Sequence, residues 1–371
     1  MEFKIKKTDL VEALTKVQGI TGKKTNIPIT SNVIVSAKEN KISIIATDLE
    51  IAFQGQYKAE ILKEGICGIP SRKFYEIVRE FPSKYVLVKE LDNKWIRIAN
   101  EKVEYNIVGI ETEEFPKIPD IEGTELFDLE VDTLRDMIEK TMYAVLADEG
   151  RVHLTGIFFK TIREGGEKML RMVSTDGHRL SLIDYPTKKT SGFSLNNGVI
   201  IPKNGVVEVL KILEEGETVQ IGIKDNNFVV KKDFEGIVIR LIEGEFPDYN
   251  LVIPKKNKNK VTVDKESLLN MLRRMSILSS SKYRSVRCTI GNEQMETVTT
   301  NPEIGESRET IPIKYQGEVI EMAFNPRYVI EATSAMKSEE VVMRLNDGET
   351  PCLIQGEKDP GFLSVVMPMR I

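Results

Sequence analysis

Phe3-Lys-Ile-Lys-Lys-Thr-Asp-Leu10, Phe127-Asp-Leu-Glu-Val-Asp-Thr-Leu134 and Val261-Thr-Val-Asp-Lys-Glu-Ser-Leu268 are three versions of one sentence. Each reads as a short alternating strand, then a Thr/Asp/Ser start signal, then a helix. The helices that follow carry apolar residues at helical spacing: Leu10, Leu14 and Val17; Leu134, Ile138 and Met142; Leu268, Leu269, Leu272 and Met275. Each can bury one face. The period is far longer than that of a solenoid, so it points to duplicated domains.

The rest of each third repeats too. A second helix is predicted over Ser71 to Phe81, Lys203 to Leu213 and Pro326 to Met336, preceded by Ile69, Ile201 or Phe324 and carrying Glu76, Glu208 or Glu331 at the matching place. Between the helices lie strand-like alternations ending in Ala46-Thr-Asp48, Ser174-Thr-Asp176 and Thr299-Thr-Asn301, and more strands follow. Phe115-Pro116 and Phe246-Pro247, each with a second proline at Pro119 or Pro254, mark exits into the next domain. The expected division is 1–125, 126–255 and 256–371, with Lys255 to Lys260 as a solvated linker. The fold class is α+β: three repeated domains, each with two helices packed on antiparallel β-sheets, and Asp176-Gly177 as a two-residue hairpin turn.

Composition sets the outer limits. A chain of 371 residues with 41% hydrophobic and 29% charged residues has enough apolar material for two or three cores. The first residues run straight into an amphipathic pattern without the apolar stretch of a signal peptide or membrane span, which places the protein in the cytoplasm with no membrane partner. Cys67, Cys288 and Cys352 are far apart and form no CxxC pair, so the expectation is semi-buried thiols, with neither a disulfide framework nor a metal site. A formal net charge of −5 argues against gripping nucleic acid by bulk positive charge.

Across its whole length the chain resembles the bacterial DNA polymerase III beta subunit family, the sliding clamps. The resemblance rests on Thr175-Asp-Gly-His-Arg-Leu180, Phe246-Pro-Asp-Tyr249, Pro70-Ser-Arg-Lys-Phe74, Asn301-Pro302 and the C-terminal Val365-Val-Met-Pro-Met-Arg-Ile371, in order within the threefold repeat. It implies the DNA clamp fold and a head-to-tail dimeric ring, with helices lining a hole and sheets forming the rim. A ring stays on duplex DNA by topology, so weak, sequence-independent phosphate contacts suffice and the acidic net charge is no obstacle. The expected DNA-facing charges are Lys24 beside Lys23, Arg72, Lys73, Arg79, Arg151, Lys203, Lys211, Arg274 and Arg327, each of which would otherwise be an ordinary solvated charge.

The resemblance further implies a shallow pocket that takes short, partly apolar peptides from DNA polymerases, the clamp loader and repair proteins. Its residues would be Leu154, Thr175, Gly177, His178, Arg179, Leu180, Pro247, Val252, Val365, Met367, Pro368, Met369 and Arg370. Methionines reshape around different ligands, prolines hold a rigid wall, and Arg and His offer polar fixing points. Val366 is expected in the core instead. The family often has a basic residue just before the valine matched as Val252, where this chain has Leu251, and the Asp148 to Arg151 loop looks variable. The homodimer contact would use Tyr105 and Ile107 from the first domain and Ile277 and Leu278 from the third.

Two rival functions make different demands. An enzyme could be imagined around Asp176, His178, Ser174 and Ser181, but there is no GxSxG, HExxH, P-loop or GxGxxG, and His153 is the only other histidine. Asp176 is expected to serve the turn, and neither a catalytic residue nor a cofactor is assigned. A sequence-specific DNA reader should show a net basic module with an Arg/Asn/Gln-rich recognition helix, and none stands out.

Overall fold

The computed structural model describes all residues except 23–26, 120, 148, 188–194, 215, 280–283 and 370–371. Lys23, Lys24, Asp148, Arg370 and Ile371 therefore lie outside the described residues.

Six α-helices occur among the described residues: α1 (Lys7–Thr21), α2 (Ser71–Arg79), α3 (Val131–Met142), α4 (Lys203–Ile212), α5 (Lys265–Ser276) and α6 (Pro326–Ser334). They fall where the apolar periodicity predicts, and Leu10, Leu14, Val17, Leu134, Ile138, Leu268, Leu269, Leu272 and Met275 are all buried. The start signals are less regular than the sequence suggests. Asp264 caps α5 by accepting from Ser267 N at 2.8 Å, but α1 begins behind Lys6, which makes no side-chain cap, and Thr8-Asp9 lie inside the helix. At that end Lys7 N donates to Lys84 O at 2.9 Å, so the adjoining chain satisfies one of the helix's free N–H groups in place of a side-chain cap.

The sheets carry the repeat most clearly. Glu2–Lys6, Leu126–Glu130 and Asn259–Asp264 each feed a helix and each pair with the strand after the second helix of the same repeat: Tyr85–Glu90, Thr218–Lys224 and Glu340–Leu345. The last strands of the three repeats, Glu104–Val108, Glu235–Arg240 and Phe362–Val366, are also equivalent, as are Ile51–Lys58, Arg179–Pro186 and Gly305–Pro312 in the other half of each repeat. All these pairings are antiparallel.

Repeats do not keep their sheets to themselves. Glu235–Arg240 pairs with Ile51–Lys58, with Ile237 opposite Phe53, and so fuses four strands of the second repeat to four of the first. Phe362–Val366 pairs with Arg179–Pro186, with Ser364 opposite Ser181, and fuses the third repeat to the second in the same register. Two compact units result: Met1–Leu134 with Asn204–Leu241, and Arg135–Lys203 with Ile242–Ile371. Each contains one of the eight-stranded sheets.

Two local expectations need correction. The turn at Asp176 is centred one residue later: Asp176 N reaches Arg179 O, so Gly177, at φ +91°, and His178 occupy its middle. Residues 255–260 are only partly a linker. Asn259 and Lys260 already belong to a strand, and Asn346 ties the stretch down by accepting from Lys258 N at 2.7 Å and donating to Lys256 O at 3.0 Å.

Candidate functional site

Within the second unit the hairpin Thr175 to Leu180, the short 3-10 turn Tyr249–Leu251 and the C-terminal tail are brought together by one apolar cluster. Val173, Leu180, Leu182, Tyr249, Leu353 and Val365 form its buried part, with Phe158, Phe246, Ile253 and Leu363 packed against it. Phe158 and Phe246 stack at 4.9 Å with nearly parallel rings, and Tyr249 meets both at 6.4 Å. Offset stacking of this kind adds to what area burial alone provides. It anchors the Phe246-Pro-Asp-Tyr249 segment, and the Asp248 carboxylate then accepts from Asn250 N at 3.1 Å to set the turn. The turn lifts Leu251, 82% exposed, and the exposed Val252 onto the surface. A large apolar residue held out in water beside an apolar cluster is the kind of surface that marks a binding site.

The hairpin is built to hold its shape. Asp176 Oδ1 accepts from His178 N and Arg179 N, and Thr175 Oγ1 donates to Arg179 O at 2.6 Å while accepting from Gly177 N. Arg151 Nη2 donates to Asp176 O at 3.1 Å from outside. Arg151, expected to face DNA, is therefore engaged with the hairpin backbone. Past the last strand, Met367 N donates to His178 O at 3.0 Å and Met369 N to Ala323 O at 2.8 Å, which leaves Met367, Pro368 and Met369 half-exposed beside His178.

Among the residues predicted to form the pocket, Leu154, Leu180 and Val365 are fully buried, and Val366 is buried in the core. Thr175, Gly177, His178, Pro247, Val252, Met367, Pro368 and Met369 remain accessible. Arg179 is a correction. Only 7% of its side chain is exposed, and each guanidinium nitrogen has a partner: Asp176 at 3.0 Å, Glu331, and the Tyr143 carbonyl at 2.6 Å. It also lies over the rings of Tyr328 at 4.5 Å and Tyr143 at 5.4 Å. It positions the hairpin from behind, and with so little of its side chain exposed it offers a ligand little surface.

Tyr328 is the site residue that sequence inspection misses. Its ring stacks on His178 at 6.5 Å and 15°, joining the start of α6 to the hairpin. No local pattern announces a contact between residues so far apart. Asn325, which caps α6 by accepting from Arg327 N, sets where Tyr328 stands.

Five basic residues of the second helices are paired. Arg72 and Lys73 both hold Glu76, at 2.9 and 2.7 Å; Arg79 holds Glu80; Lys211 holds Glu208; Arg327 holds Glu331. Burial works to raise the Glu331 carboxyl, but hydrogen bonds from Arg327 and Arg179 overcome it and hold the group below the ordinary carboxylate range. Lys203 is pushed the other way, down from its ordinary value, by partial burial and by the nearby Arg179 and Arg327. Arg274, on α5, grips Glu309 with Nε at 2.9 Å.

The imagined hydrolytic site dissolves in this geometry. Ser174 and Ser181 are fully buried and donate to the carbonyls of Thr141 and Lys140, while His178 faces Tyr328. The cysteines are buried outright rather than half-buried; burial pushes the Cys67 and Cys288 thiols up to about 12, which makes them inert. Among the described residues no group of His, Cys, Asp and Glu is placed to hold a metal, and no helix is long and apolar enough to cross a membrane.

A repeated α+β scaffold with an apolar, methionine-edged surface site is the architecture of a binding protein. Three family descriptions match in succession: DNA polymerase III beta subunit, N-terminal domain, over residues 1–119; central domain, over 128–248; and C-terminal domain, over 250–370. A beta sliding clamp of Haemophilus influenzae is 31% identical over the full length of both chains, and one of Proteus mirabilis 32%. Among solved structures, the Caulobacter crescentus sliding clamp superposes with a TM-score of 0.92 at 30% identity, and the Bartonella birtlesii clamp bound to griselimycin with 0.94 at 28%, both over the whole of each chain. The chain belongs to the DNA polymerase III beta subunit family, the non-catalytic sliding clamps of bacterial replication.

Proposed function

We propose that two copies of this chain close head to tail into a ring around duplex DNA, and that the hairpin and tail site tethers DNA polymerases, repair proteins and the clamp loader to it in the cytoplasm. The observation that carries this is the pair of joints between repeats. Each joint sets the last strand of one repeat against the Ile51–Lys58 equivalent of the repeat before it, in one register. Two strands are left at sheet edges with their half of that joint unmade: Glu104–Val108, the last strand of the first repeat, and Gly305–Pro312 in the third. A second copy supplies the complement to both, and a twofold head-to-tail arrangement leaves no free end.

In that joint Tyr105 would stand opposite Ser307 of the other copy, by analogy with Ile237 opposite Phe53 and Ser364 opposite Ser181. The joint would cover the exposed Tyr105, the half-exposed Ile107 and Leu278, and Ile277, which is 76% exposed. Repeat boundaries near 125 and 255 are supported by the family matches, which break between 119 and 128 and again between 248 and 250.

Arg72, Lys73, Arg79, Lys203, Lys211 and Arg327 are the charges we assign to the DNA-facing side. All but Lys203 pair with a nearby carboxylate, which weakens their pull on phosphate and suits a ring that must move along DNA. Peptide recognition falls to the apolar floor of Leu154, Leu180 and Val365, the rim of Thr175, Gly177, His178, Pro247 and Val252, and Met367 to Met369.

The test is retention on DNA. The protein is loaded on a nicked circle with a clamp loader and ATP, the complex is isolated and the circle is cut once. Release on cutting is expected of a topological link; retention after cutting would overturn the proposal.

A further inference from the structure

The tenth residue of α1, α3 and α5 is basic in all three repeats: Lys16, Lys140 and Arg274. In the first two it is an inter-repeat anchor. Lys16 holds Glu235 of the next repeat at 2.8 Å and is steadied by Glu12 on its own helix at 2.7 Å, with the Tyr57 hydroxyl donating to Glu235. Lys140 holds Asp359 of the next repeat at 2.8 Å and is steadied by Asp136 at 3.0 Å. Their side chains are only 12% and 4% exposed. Within residues 1–371 no repeat follows that of Arg274. It rests on Glu309 instead, with 55% of its side chain exposed.

Through the strand register Glu235 maps onto Val103 of the first repeat, and Asp359 lies in a longer turn that corresponds to the one opening at Asn100. Between these two positions stands Glu101, an exposed carboxylate in the equivalent turn. We infer that Arg274 is not a DNA-facing charge but the anchor of the intermolecular joint, reaching Glu101 of a second copy while Glu309 steadies it in place, as Glu12 steadies Lys16. The inference rests on the head-to-tail dimer proposed above and adds to it a specific pair and its register. Docking would remove this arginine from water, and a desolvated pair of opposite charges both favours the correct register and penalises a wrong one.

The experiment is sedimentation equilibrium of the full chain carrying Arg274→Glu, Glu101→Lys, both changes together, or Ile277→Asp. Each single charge reversal is expected to weaken the dimer by about tenfold or more, and the double reversal to recover most of that loss. Arg274→Gln, which keeps a donor without charge, should fall between. A dissociation constant for Arg274→Glu within about twofold of the unaltered protein, or a double reversal no better than the singles, would overturn the assignment. Ile277→Asp separates the two claims. If it gives monomers while Arg274→Glu does not, only the Arg274 pair falls; if it leaves the dimer unchanged, the head-to-tail joint itself is wrong. Salt dependence of DNA retention, compared at equal dimer fraction, should not differ between Arg274→Gln and the unaltered protein, and a shallower slope would return Arg274 to the DNA.

Discussion

Replacing Arg179 with alanine should loosen the peptide site without touching the proposed dimer joint. The guanidinium is 7% exposed and holds two carboxylates, Asp176 and Glu331, and the Tyr143 carbonyl. Glu331 keeps a second partner in Arg327 and is better exposed, so its share of the loss is small. Asp176 keeps two backbone donors but loses the cation paired with its carboxylate, and the part-buried Tyr143 carbonyl loses its donor. Removing one partner of a buried ion pair typically costs about 3–5 kcal/mol. Solvent exposure of Glu331 argues for the lower end, about 3 kcal/mol, or roughly two orders of magnitude in a local opening equilibrium. Hydrogen exchange followed by mass spectrometry is the direct assay. Peptides covering Ser174 to Leu182 should exchange roughly a hundredfold faster, while those covering Lys41 to Lys58 in the first unit should not change. Glu331→Gln should move the same peptides far less. Unaltered exchange around Arg179, or equal acceleration in both units, would refute the claim that this arginine supports the hairpin from behind.

Met367→Glu should weaken binding of a short apolar peptide by about 2 kcal/mol or more, some thirtyfold, because a carboxylate would meet the apolar floor; fluorescence polarisation measures it, and a simultaneous loss of native dimer mass would refute the assignment of the tail. Glu76→Gln frees Arg72 and Lys73, so DNA retention should fall more steeply with salt, the logarithmic slope rising by about one for each further phosphate neutralised; an unchanged slope would mean that these charges do not face DNA. Burial raises the Asp359 carboxyl, but Lys140 and the backbone N–H groups of Lys337 and Ser338 overcome it, and Asp359, like Glu331, sits below the ordinary carboxylate value. A depressed folded-state value contributes stability that is present above the ordinary carboxylate range and is lost as pH falls through the folded value. Urea midpoints of the second unit should therefore hold steady from neutral pH to about 5 and drop below about 4, and a midpoint unmoved down to about pH 3 would contradict this.

The repeat and the helices are legible in the sequence because amphipathic spacing is local: Leu10, Leu14 and Val17 declare a buried face without knowledge of what covers it. Sheet sharing is not legible, since nothing in Glu235–Arg240 distinguishes a strand that ends one sheet from a strand that continues into the next. The site divides in the same way. His178, Met367 and Met369 could be placed by motif, but the commitment of Arg179 depends on Tyr143, Tyr328 and Glu331, which are near it only after folding. The pairing of the helix charges was within reach. Arg72 with Glu76 and Arg327 with Glu331 have the i,i+4 spacing that brings opposite charges together on a helix, and that spacing alone argues against treating the arginines as free.

Because strands cross between repeats, the order in which the chain leaves the ribosome matters to when anything can finish folding. The unit that contains Met1 waits for residues up to Leu241 before its eight-stranded sheet is complete, and the other waits for Phe362–Val366. No repeat is self-sufficient at the moment its own last residue emerges. During synthesis Ile51–Lys58 and then Arg179–Pro186 each stand as an open edge for the time needed to translate the strand that covers it. A nascent chain of this design is most open to misplaced strand pairing in those intervals, and slow translation just downstream of residue 58 or 186 would prolong the exposure.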